Sequence, residues 1–327
     1  METRKLGEQG LSASAQGLGC MGMTFAYGAT DDDESIATIH RALELGVNFL
    51  DTAEMYGPHE NEELVGSAIA GRRDDWFLAT KFGITRDMET MEMGNDGSPE
   101  NVRRSIEGSL KRLGSDHVEL YYLHRVDPGT PIEETVGVMG ELVSEGKVRG
   151  IGLSEAADEP IRKAHATHPL SAVQTEYSLW TREVERNGVL QACRELGIAF
   201  VAYSPLGRGF LTGKVRNLDE LADDDFRRQV PRFQGENLER NVAIVEALDE
   251  MAESKGVTAA QLALAWVHSR GDDVFPIPGT KRRRYLEENI AAFEIELAEE
   301  EQRSLEEAAG EVAGERYEPT GMASVNR

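Results

Sequence analysis

Three apolar runs end on residues that handle protons. Phe49 and Leu50 lead to Asp51, with Tyr56 in the turn-like chain just beyond; Trp76 to Thr80 leads to Lys81; Leu120 to Leu123 leads to His124. A carboxylate at the end of a buried strand is strongly disfavoured unless it has a partner. An ammonium beside it lets both groups stay charged. A phenol near that ammonium is expected to have a lowered pKa, since the phenolate gains an opposite charge, and so to act as a general acid near neutral pH. His124 is expected to donate a hydrogen bond to the same substrate oxygen and fix its direction. A carbonyl held between Tyr56 and His124 would take a hydride at carbon and a proton at oxygen. Taken singly, each residue has a plainer reading: a structural ion pair for Asp51 and Lys81, a loop aromatic for Tyr56, a satisfied core histidine for His124. Packing alone gives no reason for all four to arrive at the ends of successive strands.

The elements that must position them repeat with one cadence. Polar-Gly residues in the opening RKLGEQGLSAS predict a small hairpin. Ala15 to Gly19 reads as the first strand, and Asp31 to Asp33 suit a helix N-terminus that a glycine at 46 closes. Strands are then expected over 48–53, 76–81, 117–124, 148–154, 172–176, 198–204 and 274–278. Helices are expected between them, over 61–71, from Ser98-Pro99 to Gly114, from a Thr130/Glu133 capping box to Gly146, from near Pro160, and over 183–197. Two more, 238–256 and 258–271, follow a long polar loop over 207–236, and the chain closes with helices over 282–293 and 298–309. About eight strand–helix units with no linker-like break predict one domain over residues 1–327. The fold class is α/β: a (β/α)8 TIM barrel with an N-terminal β-hairpin and a C-terminal extra helix. The GLGCMG stretch after the first strand lacks the spacing of a dinucleotide fingerprint, which disfavours an open dinucleotide-binding sheet. In closed barrels the chemistry sits at the C-terminal ends of the strands, where Asp51, Lys81 and His124 fall.

Composition narrows the function. The chain has 327 residues, 40% hydrophobic and 29% charged, with a formal charge of −24 that argues against nucleic acid as a partner. It has no apolar run long enough for a bilayer and no secretory-type N-terminus, so the cytoplasm is the expected location, with no membrane partner. Two cysteines, Cys20 and Cys193, give neither a disulfide framework nor metal-ligand spacing, and no metal is expected. Against this acidity, Lys281, Arg282, Arg283 and Arg284 form one dense basic run. Thr280 before it could cap a helix whose free N–H groups bind phosphate, and arginine's bidentate donors suit a 2′-phosphate, favouring NADP over NAD.

The stretches VNFLDTAEMYG (47–57), ATKFG (79–83) and YYLH (121–124) closely resemble the aldo-keto reductases, in order and separation, and the likeness runs from RKLG near the start to EENI near the end. The resemblance implies a (β/α)8 barrel that uses NADP(H). It implies a catalytic tetrad of Asp51, Tyr56, Lys81 and His124, in which tyrosine donates the proton, lysine modulates it, aspartate partners the lysine and histidine orients the carbonyl. It further implies cofactor contacts from Gly22 and Met23, from Ser154 and Gln174 to the carboxamide, and from Tyr203 stacked on the nicotinamide. Ser204, Leu206 and Arg208 would line the pyrophosphate, and Gly279, Thr280, Lys281, Arg282, Glu288 and Asn289 would clamp the adenosine phosphate. Glu155 stands where many members carry asparagine.

The leading expectation is NADPH-dependent, reversible reduction of aldehydes or ketones, with Tyr56 as proton donor. The alternative is a non-catalytic NADP(H)-binding regulatory or sensor subunit of the same fold. A barrel hydrolase using Asp51 and Glu54 has little support, because the two acids are too close in sequence to flank a substrate. Met23, Phe25, Tyr27, Met55, Trp76, Met88, Met91, Tyr177 and Trp180 are candidates for an apolar substrate pocket. The substrate is a small carbonyl compound of undetermined identity, and association into a homo-oligomer is left open.

Overall fold

The computed structural model describes residues 1–86, 93–223 and 225–326. Strands are β1 (Thr3–Leu6), β2 (Leu11–Ser14), β3 (Leu18–Gly19), β4 (Phe49–Asp51), β5 (Phe77–Phe82), β6 (Ile84–Arg86), β7 (Met93–Asn95), β8 (Val118–Leu123), β9 (Val148–Ser154), β10 (Ala172–Glu176), β11 (Ala199–Tyr203) and β12 (Val274–Ile277). Helices are α1 (Asp32–Glu44), α2 (Glu60–Ile69), α3 (Pro99–Leu113), α4 (Ile132–Ser144), α5 (Asp158–Thr167), α6 (Val189–Leu196), α7 (Gly235–Lys255), α8 (Ala259–His268), α9 (Arg283–Ala291), α10 (Glu299–Ala309) and α11 (Pro319–Ala323).

Eight strands form one parallel sheet in the order β3-β4-β5-β8-β9-β10-β11-β12. Its two edges meet through a parallel bridge between Gly19 and Gly279, with the Gly17 N–H donating to the Pro276 carbonyl at 3.0 Å. The expected (β/α)8 barrel with its N-terminal hairpin is what forms. A side chain on Gly19 would meet the Ile277 carbonyl oxygen at 2.9 Å, so the absence of a Cβ lets the seam close.

Strand periodicity sorts the core into two parts. Phe49, Phe77, Ala79, Leu120, Tyr122, Ala172, Val201 and Phe275 point into the barrel, joined by Leu6 and Ala13 of the β1–β2 hairpin. Leu50, Leu78, Tyr121, Leu123, Val173 and Phe200 point outward against the helices. Continuing the inward phase by two residues along each strand gives Asp51, Lys81 and His124. The alternation that fills the barrel therefore also aims these three side chains into its mouth.

Helix signals account for how the shell is held. Asp31 caps α1 and Ser98 caps α3, which has proline at its first position and ends on Gly114 in the left-handed region. Val102, Ile106, Leu110 and Leu113 make the buried face of α3. A fully buried carboxylate, Glu62 of α2, accepts from Thr80 Oγ1 and Arg112 Nε, both at 2.6 Å, and so ties α2 and α3 to β5 beside Lys81.

Several local expectations are corrected. Thr130 forms no capping box: Pro131 occupies the cap of α4, and the Thr130 hydroxyl instead donates to Asp127 at 2.7 Å. Thr280 does not cap α9 either, since Arg282 holds that position and the Thr280 hydroxyl oxygen accepts from its N–H at 3.2 Å. Of the first expected strand only Leu18 and Gly19 pair with β4, while the Ala15 N–H donates to the Glu2 carbonyl and the Gly17 N–H to the Pro276 carbonyl. The helix expected from 183 begins at Val189, after a separate 3-10 turn over Glu183–Glu185. The antiparallel pair β6–β7 and the short helix α11 are additions that weak local patterning did not signal.

Candidate active site

β4, β5 and β8 lie side by side, with Asp51 opposite Ala79 and Lys81 opposite Tyr122 in register. At their C-terminal ends the Lys81 ammonium is fully buried. It donates to Asp51 Oδ1, to the Thr52 carbonyl at 2.8 Å and to the Tyr56 hydroxyl at 3.2 Å. All three ammonium protons are thus used. Gln174 on β10 donates from Nε2 to the other Asp51 oxygen at 2.8 Å. His124 stands edge-on to Tyr56, ring centres 5.9 Å apart, with its Nδ1 enclosed and unpartnered. The four residues singled out from sequence form one contact cluster at the strand ends.

Burial dominates the acid–base balance here. It pulls the Lys81 pKa down, but Asp51 and Tyr56 outweigh it, and the group sits above its ordinary value as an ammonium. Burial pushes the Tyr56 phenol up by more than Lys81 pulls it down. The expected lowering of the Tyr56 pKa is therefore corrected: the hydroxyl stays a protonated phenol at neutral pH. Burial, reinforced by the Arg125 and Lys81 charges, drives His124 well below its usual range, so its imidazole is neutral.

The remaining candidates line the same mouth or fall beside it. Ser154, at the end of β9 and opposite Gln174, accepts from Arg125 Nη1 at 3.3 Å. Tyr203 ends β11 and is followed by Ser204, whose backbone lies in the left-handed region, as do those of Glu155 and Arg208. Strained backbone of this kind gathers at functional sites. Leu206 is partly buried before the Gly207–Thr212 turn, and Gly22 and Met23 lie in the turn after β3, with Met23 in the core. Lys281 spends its ammonium on the carbonyls of Tyr27, Gly28 and Ala29. Arg283 pairs with Glu34 at 2.8 Å and Arg284 lies over the Tyr285 ring, whereas Arg282 is exposed with no side-chain partner among the described residues. Glu288 accepts from Thr258 at 2.8 Å, Asn289 is buried, and Gly279 forms the seam. Of the candidate pocket residues, Trp76, Tyr177 and Trp180 are core, Phe25, Tyr27 and Met55 are more open, and Met88 and Met91 lie outside the described residues.

Residues 16–309 match the model of the aldo/keto reductase family. The chain belongs to that family. Solved structures of other aldo/keto reductases overlay well: the glycerol dehydrogenase AKR11B4 from Gluconobacter oxydans shares 29% identity at a TM-score of 0.86, covering 97% of this chain and 98% of its own. The thermostable aldo-keto reductase Tm1743, solved with the inhibitor epalrestat, shares 32% identity at 0.76, covering 94% and 100%. The aldo-keto reductase AKR11C1 from Bacillus halodurans, in a holo form, shares 28% identity at 0.78, covering 98% and 99%. An aldo/keto reductase is an oxidoreductase that interconverts carbonyls and alcohols, with a nicotinamide cofactor. No helix among the described residues is long and apolar enough to cross a membrane, and no cluster of metal-ligating side chains is found among them.

Sequence reading missed how this aldo/keto reductase uses Glu155. That carboxylate is 2% exposed and accepts from both guanidinium nitrogens of Arg316, at 2.9 and 3.0 Å, from the Tyr203 hydroxyl at 2.7 Å and from the Glu176 N–H. Arg208 pairs with Glu176 at 3.0 Å and donates to the Arg316 carbonyl at 2.8 Å, beneath the Tyr317 ring. The C-terminal tail is thereby fastened over the mouth. Burial favours a neutral Glu155, but Arg316 and Arg125 outweigh it and keep the group ionised. Partners 161 residues apart leave no sequence signal of their pairing. Arg125 was missed too, although its place directly after His124 could have drawn attention.

Proposed function

We infer that this aldo/keto reductase reduces aldehydes and ketones to alcohols with NADPH, and runs the reverse with NADP+. The observation that carries the reading is one ammonium, Lys81, holding Asp51, a backbone carbonyl and the Tyr56 hydroxyl together beside a neutral imidazole. Because the Tyr56 oxygen accepts from Lys81, its own proton is free to point at a substrate oxygen. Neutral His124 offers a second donor to that oxygen, which fixes the carbonyl's direction and polarises it. A raised phenol pKa does not defeat the transfer. The alkoxide oxygen that develops as hydride reaches the carbonyl carbon is a much stronger base than a phenolate, so it takes the proton from Tyr56, and Lys81 stabilises the phenolate left behind. Asp51 and Gln174 keep the ammonium in place.

The donor set fits a nicotinamide dinucleotide. Ser154 and the Gln174 carbonyl suit a carboxamide, Tyr203 offers a ring to stack on, and the unengaged Arg282 suits a 2′-phosphate by bidentate contact. Lys281 is committed to the loop after β3, which favours Arg282 within the basic run. NADPH bound along this line supplies the hydride. Residues 1–327 act as a single barrel unit on this reading, and the two buried, unpaired thiols suit a reducing cytoplasm.

The test is Tyr56→Phe, followed by NADPH consumption with benzaldehyde and by NADPH binding through fluorescence. Loss of a proton donor of this kind costs roughly 100- to 10,000-fold in kcat with binding retained. Full turnover by the variant would remove Tyr56 as the acid. A wild-type protein that binds NADPH but reduces no aldehyde would instead support the sensor reading.

A further inference from the structure

Buried cations at this end of the barrel come with anions. Lys81 has Asp51, Arg316 has Glu155, and Arg208 has Glu176. Arg125 breaks the pattern. It is 9% exposed, and among the described residues its guanidinium donates only to the His124 carbonyl at 2.7 Å and to Ser154 Oγ at 3.3 Å. Among the described residues no carboxylate lies within ion-pair distance of it. The ionisable groups that act on it are the phenols Tyr203, Tyr317 and Tyr56 and the carboxylate Glu155, and Glu155 is already met on both oxygens by Arg316. With the other pairs cancelling, Arg125 is left, among the described residues, as an unbalanced positive charge beside the tetrad. Next to it, His124 Nδ1 is enclosed without a partner.

A buried charge left unpaired is costly, and a planar fork of donors matches a carboxylate in particular. The protein carries a formal charge of −24, so an anionic substrate is repelled at long range and needs a local counter-charge to settle. We propose that Arg125 is a specificity-determining residue that receives a carboxylate carried close to the carbonyl, so that the preferred substrates are 2-oxo acids and carboxylated aldehydes. The oxygen of the reacting carbonyl lies between Tyr56 and His124, and the carboxylate on the neighbouring carbon pairs with Arg125. The step itself is unchanged: hydride adds to the carbonyl carbon, Tyr56 gives its proton to the oxygen, NADPH becomes NADP+, and the carboxylate leaves as it came. This proposal rests on the reductase reading of the same site.

The test compares phenylglyoxylate with its methyl ester, and both with benzaldehyde, by NADPH consumption in wild type, Arg125→Met and Arg125→Lys. Wild type is expected to favour the acid over the ester. In Arg125→Met the acid-to-ester ratio of kcat/KM should fall roughly 10- to 150-fold, the worth of one charge-assisted hydrogen-bonded pair, mostly through KM. Arg125→Lys should keep part of the ratio, since the charge remains and the fork is lost. No preference in wild type, or equal losses for acid and ester in the methionine variant, would overturn the proposal and leave Arg125 as a strut for His124 and Ser154. If wild type fails to reduce benzaldehyde as well, the reductase reading falls, and titration calorimetry of phenylglyoxylate into the NADP+-treated proteins still decides the role of Arg125. Binding at least 10-fold tighter in wild type than in Arg125→Met supports it, and equal affinity overturns it.

Discussion

Lys81 shows how little freedom a buried charge has. Each of its three protons has one acceptor, and one of those acceptors, Asp51, is itself held by Gln174. Replacing Lys81 by methionine keeps the length and removes the charge, so Asp51 stays buried without its counter-ion. Breaking one side of such a pair costs about 3–5 kcal/mol, which urea unfolding would register as a lower midpoint. Because Tyr56 loses the cation that steadies its phenolate, turnover should fall alongside. An unchanged midpoint would mean that Asp51 takes up a proton or another partner. The identity of the four residues was legible because residue type and strand phase are local properties. The sign of the Tyr56 shift was not, since it depends on how much water surrounds the hydroxyl, which the sequence does not state.

At the level of elements, β9 and β11 place Glu155 and Tyr203 where a distant segment can reach them. Arg316, with Tyr317, fastens residues 310–326 to that surface, and Asn326 adds a hydrogen bond from its N–H to the Glu155 carbonyl at 3.2 Å. Arg316→Ala leaves Glu155 with the Tyr203 hydroxyl and one N–H. The expected outcome is faster hydrogen exchange confined to the tail, by 100-fold or more if about 3 kcal/mol of the pairing is lost, with the barrel strands unaffected. Exchange that rises equally in β5 and β8 would show that the tail is part of the barrel's global unfolding unit. Elements with strong terminal signals, such as Ser98-Pro99 to Gly114, could be placed from sequence to within a residue or so. The two-residue β3 and the β6–β7 pair could not. β3 is fixed by its partner β4 and not by its own composition, and β6 and β7 are three-residue strands that pair only with each other, too short to pattern.

The whole molecule adds a dependence on pH. His268 lies at the end of α8 against Gln16, and burial, aided by the Arg4 charge, lowers its pKa to about 4. A histidine lowered on folding binds its proton more readily when unfolded, so its stabilisation is complete above pH ~6.5 and fades as the pH falls toward 4. His124 acts in the same direction. Glu155 and Glu176, both held below the usual carboxylate range, add a further loss below about pH 4.3. Unfolding free energy measured from pH 7 to pH 4.5 should therefore decline, with His268 contributing at most about 3 kcal/mol, and His268→Gln should flatten the slope. A slope unchanged in that variant would remove His268 from the account. One join matters beyond all of these. Gly279 closes the seam by bridging to Gly19, and the same residue begins the stretch of chain that carries Arg282 and Asn289. A dinucleotide held along that stretch, as the proposed function has it, would straddle the place where the first and last staves of the cylinder touch, and so would act as a clasp on the hoop.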